Sequence, residues 1–258
     1  MRKATLLVMA LALLAFAAPA MAVSFWSETF SYSAGALTAV TPNWTTHSGV
    51  GGGATDIQVS AGIATGNNSN SPDDNRVFGV TQSATAKTYA CFQVMIPTPA
   101  STPVLNYFAH FKDATTTNFG ARVYVAPSGA TFTFGLSLGS CGTGCTVALW
   151  PVALNYGQWY TVATLYDAGG SLAKLWVDPA GEGSLNISHN TWSGTTAQGG
   201  FQLSAFALRQ SSSGVPSGTS NWTYNVDNIQ VGDAFSELCP SPTGTSNSTW
   251  GRLKTLYR

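Results

Sequence analysis

The 258-residue chain is short of charge: 9% of its residues are Asp, Glu, Lys or Arg, with 11 cations against 11 acids, and it has only three His and four Cys. The balance is uneven along the chain. Residues 23–238 hold six of the cations (Arg76, Lys87, Lys112, Arg122, Lys174, Arg209) and all 11 acids, a formal charge of −5. That argues against a nucleic-acid binder, whose phosphate contacts need a basic stripe. No amphipathic helical period runs through the same span, and there is no phosphate-cradling glycine loop or dinucleotide fingerprint. Gly and Trp do not recur at a fixed period, which excludes a propeller or solenoid. Apolar residues are not scarce. They make up 44% of the chain and include eight Trp, while Ser and Thr exceed a fifth of it, too apolar a mixture for a disordered polypeptide.

The only long apolar run lies at the start. Arg2 and Lys3 precede Leu6 to Ala18, then Pro19, and Ala20-Met21-Ala22 places small residues at the two positions a signal peptidase reads. Residues 1–22 therefore read as an export signal, with the mature chain starting at Val23. The run is shorter than the roughly 20 residues a membrane span needs, and no later stretch is long enough to span. The first Cys is Cys91, so none follows the cut to carry a lipid. The expectation is a protein secreted or held at the cell surface.

Export makes disulfides plausible. Cys141-Gly-Thr-Gly-Cys145 sets two thiols in a Gly-rich turn that can bend to bridge geometry, so a local Cys141–Cys145 bond is expected. Zinc is the competing reading, but neither a second close Cys pair nor a His pair completes four ligands. Whether Cys91 pairs with Cys239 stays open, since four Cys allow three connectivities.

From Val23 onward, short runs rich in Val, Thr, Phe, Tyr and Trp are punctuated by Gly, Ser, Asn and Pro. Val123 and Val125 alternate with Arg122 and Tyr124; Phe132, Phe134, Leu136 and Leu138 alternate with Thr131, Thr133, Gly135 and Ser137. Period two buries one face of a strand and wets the other. About a dozen such runs predict an all-β fold, a two-sheet antiparallel sandwich occupying residues 23–238 as one domain. A polar linker (239–248) and a short basic amphipathic tail (249–258) follow, the tail being either a docking peptide or a frayed end. Asn67 to Asn75 reads as a turn carrying Asp73 and Asp74.

The segments Glu28-Thr29-Phe30-Ser31-Tyr32-Ser33-Ala34-Gly35-Ala36-Leu37, Trp44-Thr45-Thr46-His47-Ser48-Gly49 and Val226-Asp227-Asn228-Ile229-Gln230-Val231 resemble secreted bacterial LamG-like jelly rolls of the concanavalin A-like lectin and glucanase group. Tyr107 to Phe111, Phe119 to Val125, Leu175 to Pro179 and Ala207 to Gln210 resemble internal strands of the same group. The resemblance implies a jelly roll, which hosts lectins, adhesion modules, glycosidases and lyases alike. The group's glycosidases carry an E-x-D-x-x-E strand motif, which is absent. Sandwich glycosidases need two carboxylates across one bond; the nearest pairs, Asp73-Asp74 and Asp178 with Glu182, read as solvated turns. His110 and Asp113 would meet only if the chain turns at Asp113, and His47 and His189 stand alone in polar loops.

In jelly rolls the first and last strands are commonly neighbours, so the resemblance brings Glu28 near Asp227 and Asn228. Two readings follow: a structural Ca²⁺ held by these oxygens, or carboxylates bonded to turn amides. Among the Trp, Trp159 and Trp176 sit in strand runs and read as core, whereas Trp44 and Trp192, in polar loop context, are candidates to stack on a sugar or to cap the core. Scarce Arg209, Arg122 and Arg76 are expected to pair with Asp74 or Asp178. The leading expectation is a non-catalytic exported module binding glycans or a cell-surface partner. The alternatives are a glycoside hydrolase or polysaccharide lyase with an atypical site, and a structural envelope or appendage component.

Overall fold

The computed structural model describes residues 22–100, 104–139, 146–192, 201–211 and 222–239. The Cys141–Cys145 bridge expected from the sequence, the tail, and all but the last residue of the expected export segment lie outside these residues. Seventeen strands are described: β1 (Ser24–Glu28), β2 (Gly35–Ala36), β3 (Thr45–Ser48), β4 (Gln58–Ser60), β5 (Ile63–Asn67), β6 (Asp73–Val77), β7 (Lys87–Met95), β8 (Asn106–Lys112) and β9 (Phe119–Ser128). They continue with β10 (Thr131–Ser137), β11 (Ala148–Leu149), β12 (Leu154–Asn155), β13 (Trp159–Asp167), β14 (Leu172–Val177), β15 (Ile187–His189), β16 (Ala205–Leu208) and β17 (Thr223–Gly232). Two single-turn helices, α1 (Leu37–Val40) and α2 (Phe235–Leu238), complete the described elements.

The strands form two antiparallel sheets. The first runs β15-β14-β13-β7-β17-β5-β4-β2, with β1 also on β17; the second runs β11-β10-β9-β8-β16-β6-β3, with β12 on β10. The alternation read from the sequence sets the layering. Val123, Val125, Phe132, Phe134, Leu136 and Leu138 point inward and join Phe92, Val94, Phe108, Val162, Leu175, Phe206 and Val226 in one core between the sheets. Each large apolar side chain so buried contributes roughly 1.5–3 kcal/mol. This is the jelly-roll sandwich expected.

One edge of β17 serves two partners: Thr223–Val226 pair with β5, and Ile229–Gly232 pair with β1. The switch falls at Asn228, whose φ is +52°, where the ladder to β7 also shifts register. Beyond β17, α2 folds back onto the outer face of the first sheet. Phe235, Leu238 and Cys239 pack there on Tyr89, Cys91, Ala163, Leu165 and Trp176. A disulfide between Cys91 and Cys239 fastens this second cluster, settling the pairing the spacing left open.

The turn expected around Asp73 and Asp74 is instead strand β6, flanked by β16 and β3. Its sequence, Asp-Asp-Asn-Arg-Val, lacks apolar alternation: Asp73, Asp74 and Asn75 are all buried, and Asp73 and Asp74 accept from Ser48, Gln210 and Thr46 rather than packing as core. Among the described residues no helix is long and apolar enough to cross a membrane.

Candidate functional site

The outer face of the second sheet carries a row of polar and charged side chains, most of them buried, that forms a polar trough. On β8, Phe111 and Ala109 turn to the core while His110 and Lys112 lie opposite Ala207 and Ala205 of β16. On β9, Arg122 and Tyr124 take the positions between core valines. His47 enters from β3. Two strands, β16 and β6, separate β3 from β8, about 14 Å on a flat sheet. Yet the His47 and His110 rings are 5.8 Å apart. The sheet curls toward this face, and the two imidazoles lean together across β16 and β6. The face is concave for that reason.

Aromatic rings and cations fill the rest. Tyr107 is sandwiched between two guanidiniums, Arg122 at 4.4 Å and Arg209 at 4.1 Å from the ring centroid. Arg122 also lies over Phe119, which packs 4.3 Å from His110. Arg209 is held by Asn106 Oδ1 at 2.9 Å and by Asp73 at 3.9 Å. Lys112 donates to the Asp113 carbonyl at 2.8 Å. Three of the six cations in residues 23–238 thus converge on one trough, in a span whose net charge is negative.

The histidines are neutral at physiological pH. Burial, followed by the charges of Lys112 and Arg209, pulls His47 down to about 4. His110 is fully buried and is lowered well below its ordinary value by burial and then by His47, Arg122, Arg209 and Lys112. Neither ring nitrogen of either residue has a hydrogen-bond partner among the described residues. Buried polar atoms in a finished fold are nearly always paired, so two unpartnered imidazoles mark a surface that serves something other than stability. His47 is the half-buried member, at the rim; His110 lies behind it.

The residues singled out from the sequence are placed otherwise. Trp44 is 1% exposed and belongs to the core, its indole donating to Glu28 Oε2 at 3.0 Å, so it offers no face to a sugar. Trp192 is half-buried against Phe201 and fills the space a Cβ on Gly139 would need. Glu28 turns inward and accepts from the Phe30 amide, Tyr32, Trp44 and Arg76. Asp227 and Asn228 lie outward at the β17 switch, where Asp227 accepts from the Asn228 amide and Asn228 donates to Gln93. The three oxygen donors expected around Ca²⁺ therefore do not meet, and a donor set that includes a guanidinium does not fit a cation. Both carboxylates are bonded to turn amides.

Arg76 pairs with Glu28 and Arg209 with Asp73, rather than with Asp74 or Asp178, because β6 sets Arg76 beside β1 and β16 sets Arg209 beside Asp73. Asp178 accepts from the Thr161 amide and Glu182 from the Tyr89 hydroxyl, both as structural ties on the first sheet. Asp113 caps its own turn through Thr115 and Asn118. His189, far from alone, accepts from the Leu138 amide at Nδ1 and therefore donates from Nε2 to the Thr146 carbonyl. Gly135-Leu136-Ser137-Leu138-Gly139 has G-x-S-x-G spacing, but Ser137 ends strand β10 and bonds Tyr124 and the Gly139 carbonyl, with no strand-to-helix elbow. Sequence reasoning missed the His47–His110 trough. The one signal available was the alternation that puts His110, Arg122 and Tyr124 opposite core positions.

No protein-family model matches the sequence, and no curated protein matches it. Solved structures of the same fold do. A CBM2 module of the evolved Dit protein of Lactobacillus casei BL23 phage J-1 matches with a TM-score of 0.51 at 11% identity, covering 83% of this chain and 97% of that one. Alginate lyase Aly36B matches with a TM-score of 0.51 at 12% identity over 81% and 96%, and alginate lyase A1-II' with 0.50 at 11% over 74% and 95%. These likenesses are to a concanavalin A-like sandwich in fold.

Proposed function

We propose that the chain is an exported glycan-binding sandwich that takes an acidic polysaccharide along the concave face of its second sheet, rather than on loop tryptophans. The observation that carries this reading is His110: fully buried, unpartnered at both nitrogens, and ringed by Lys112, Arg122 and Arg209. Uronate carboxylates suit the guanidinium and ammonium groups. Hydroxyls can supply the hydrogen bonds the two imidazoles lack, and Phe119, the half-buried ring of the trough, is the aromatic placed to meet a sugar. The CBM2 module and the two alginate lyases support carbohydrate as the ligand class for a fold of this kind. The resemblance to secreted LamG-like modules and the Ala20-Met21-Ala22 cut site support export.

Calorimetric titration with oligomers of alginate, polygalacturonate and hyaluronate, against neutral glucan oligomers, tests the reading. Binding confined to the acidic series and weakened by salt is expected; preference for neutral chains sinks it.

One observation favours a second reading, eliminative cleavage. His47 is neutral above about pH 4 and shares the trough with Tyr107. A uronate carboxylate neutralised by Arg122 or Lys112 acidifies the adjacent C–H; a neutral imidazole takes that proton, and a tyrosine hydroxyl protonates the departing glycosidic oxygen. Release of unsaturated uronic products from the same panel, abolished by His47→Asn, would favour this reading over binding alone.

A further inference from the structure

The chain entering β1 meets the end of β17 in a reciprocal contact. The Val23 nitrogen donates to Asp233 Oδ1 at 2.6 Å, and the Asp233 amide donates back to the Val23 carbonyl at 3.1 Å. Ser24 pairs with Gly232, and only glycine fits there: a Cβ would stand 2.5 Å from the Val23 oxygen. The Val23 backbone is thus fixed while its side chain stays 51% exposed and Ala22 before it is exposed and outside any strand. The nitrogen fixed on a carboxylate is the one that the Ala20-Met21-Ala22 pattern marks for release.

We infer that Val23 is a processed N-terminus whose α-ammonium is captured by Asp233, so that maturation itself adds an ion pair closing the first strand onto the last. The chemistry is hydrolysis by a peptidase of the export route. The Ala22–Val23 amide bond breaks, the oxygen of water goes to the Ala22 carbonyl carbon, and both of its hydrogens end on the Val23 nitrogen. The leader leaves with a carboxylate and the domain keeps an ammonium. At 2.6 Å the nitrogen is already within hydrogen-bond reach of the carboxylate, so the ammonium needs no rearrangement to pair with it. Before the cut, the same contact is an ordinary amide–carboxylate bond.

The position gives the pair its consequence. Asp233 lies between β17 and α2, and six residues later Cys239 is bonded to Cys91. The end of β17 is then held on one side by the disulfide and on the other by the new N-terminus. The titratable groups facing the ammonium are Asp233 and, across a cavity of about 320 Å³ that Asp233 helps to line, Glu182 and Tyr89, bonded to each other at 2.7 Å. Among the described residues no cation lines that cavity. An α-amine of ordinary value about 7.7–8.0 is raised by a carboxylate, so its stabilisation is complete below the unfolded value and disappears as pH climbs through the raised folded one.

The full chain is exported from a secreting host under its own leader, sequenced from the N-terminus, and melted across about pH 6 to about pH 10. It is compared with Asp233→Asn and with a form retaining one extra Ala before Val23. The expected sequence starts at Val23, and the exported protein is expected to lose about 1–3 °C relative to both variants on crossing the α-amine pKa. Other titrations are common to all three and cancel. Acylation of the α-amine at neutral pH, slower in the exported protein than in Asp233→Asn, reads the same pair without melting. A start elsewhere than Val23, or coincident pH profiles with equal acylation rates, overturns the inference.

Discussion

Asp74 of β6 and Asp56 of the loop before β4 share a hydrogen bond, and burial, followed by that bond and the Asp56 charge, pushes Asp74 up to about 8. Asp74 is therefore the protonated partner at neutral pH. Burial alone would raise Asp56 too, but bonds from Asp74, Thr38, Gly52 and Ile57 hold it below its ordinary value. Two carboxyls do converge in this fold, but both are buried, so they brace the loop and do not flank a sugar bond.

That pair predicts a pH slope. Because the folded value of Asp74 lies above its unfolded value of about 3.9, its contribution is complete below that value and fades as pH rises to about 8. Asp74→Asn keeps a donor toward Asp56 and removes the titration. Melting temperatures of the wild type are expected to decline from about pH 5 to about pH 8, with the variant flatter across the same window. Parallel curves would refute the shared proton.

Glu28 makes a second prediction. It joins Arg76 at 2.8 Å, Trp44, Tyr32 and the Phe30 amide in a buried cluster. Glu28→Ala strands four donors and is expected to cost about 3–5 kcal/mol in urea unfolding. Chelator and added Ca²⁺ are expected to leave the wild-type melt in place; a calcium-dependent rise in melting temperature would restore a metal site at the chain ends.

Cys239→Ser opens a bond that closes a loop of 148 residues and lets α2 leave Tyr89 and Trp176. Chemical unfolding is expected to show a loss of about 2–4 kcal/mol. A loss near zero would mean that the outer cluster holds without the clasp.

The strands of the core were legible because period-two alternation is written directly into residues such as Val123 to Val125 and Phe132 to Leu138. β6 was not. Its Asp-Asp-Asn-Arg run has the composition of a turn, and only pairing on both edges makes it a strand. Trp44 was misread for the converse reason: its Thr and Asn neighbours suggest a loop, while its ring is drawn inward by Glu28, Trp26 and Phe30. The trough is assembled from β3, β8, β9 and the residue after β16, so no local spacing could announce it. His47 and His110 are 63 positions apart in sequence and become neighbours only through sheet curvature.

The most direct test is a calorimetric titration of a uronate oligomer into the wild type and Arg122→Met, with a neutral gluco-oligomer as control. Arg122 stacks on Tyr107 and Phe119 in the trough, on the opposite side of β9 from core residues Ala121 and Val123. The account predicts binding of the acidic oligomer only, weakened about tenfold or more by the substitution at an unchanged melting temperature. Equal affinity in both proteins, or equal binding of the neutral oligomer, would contradict it.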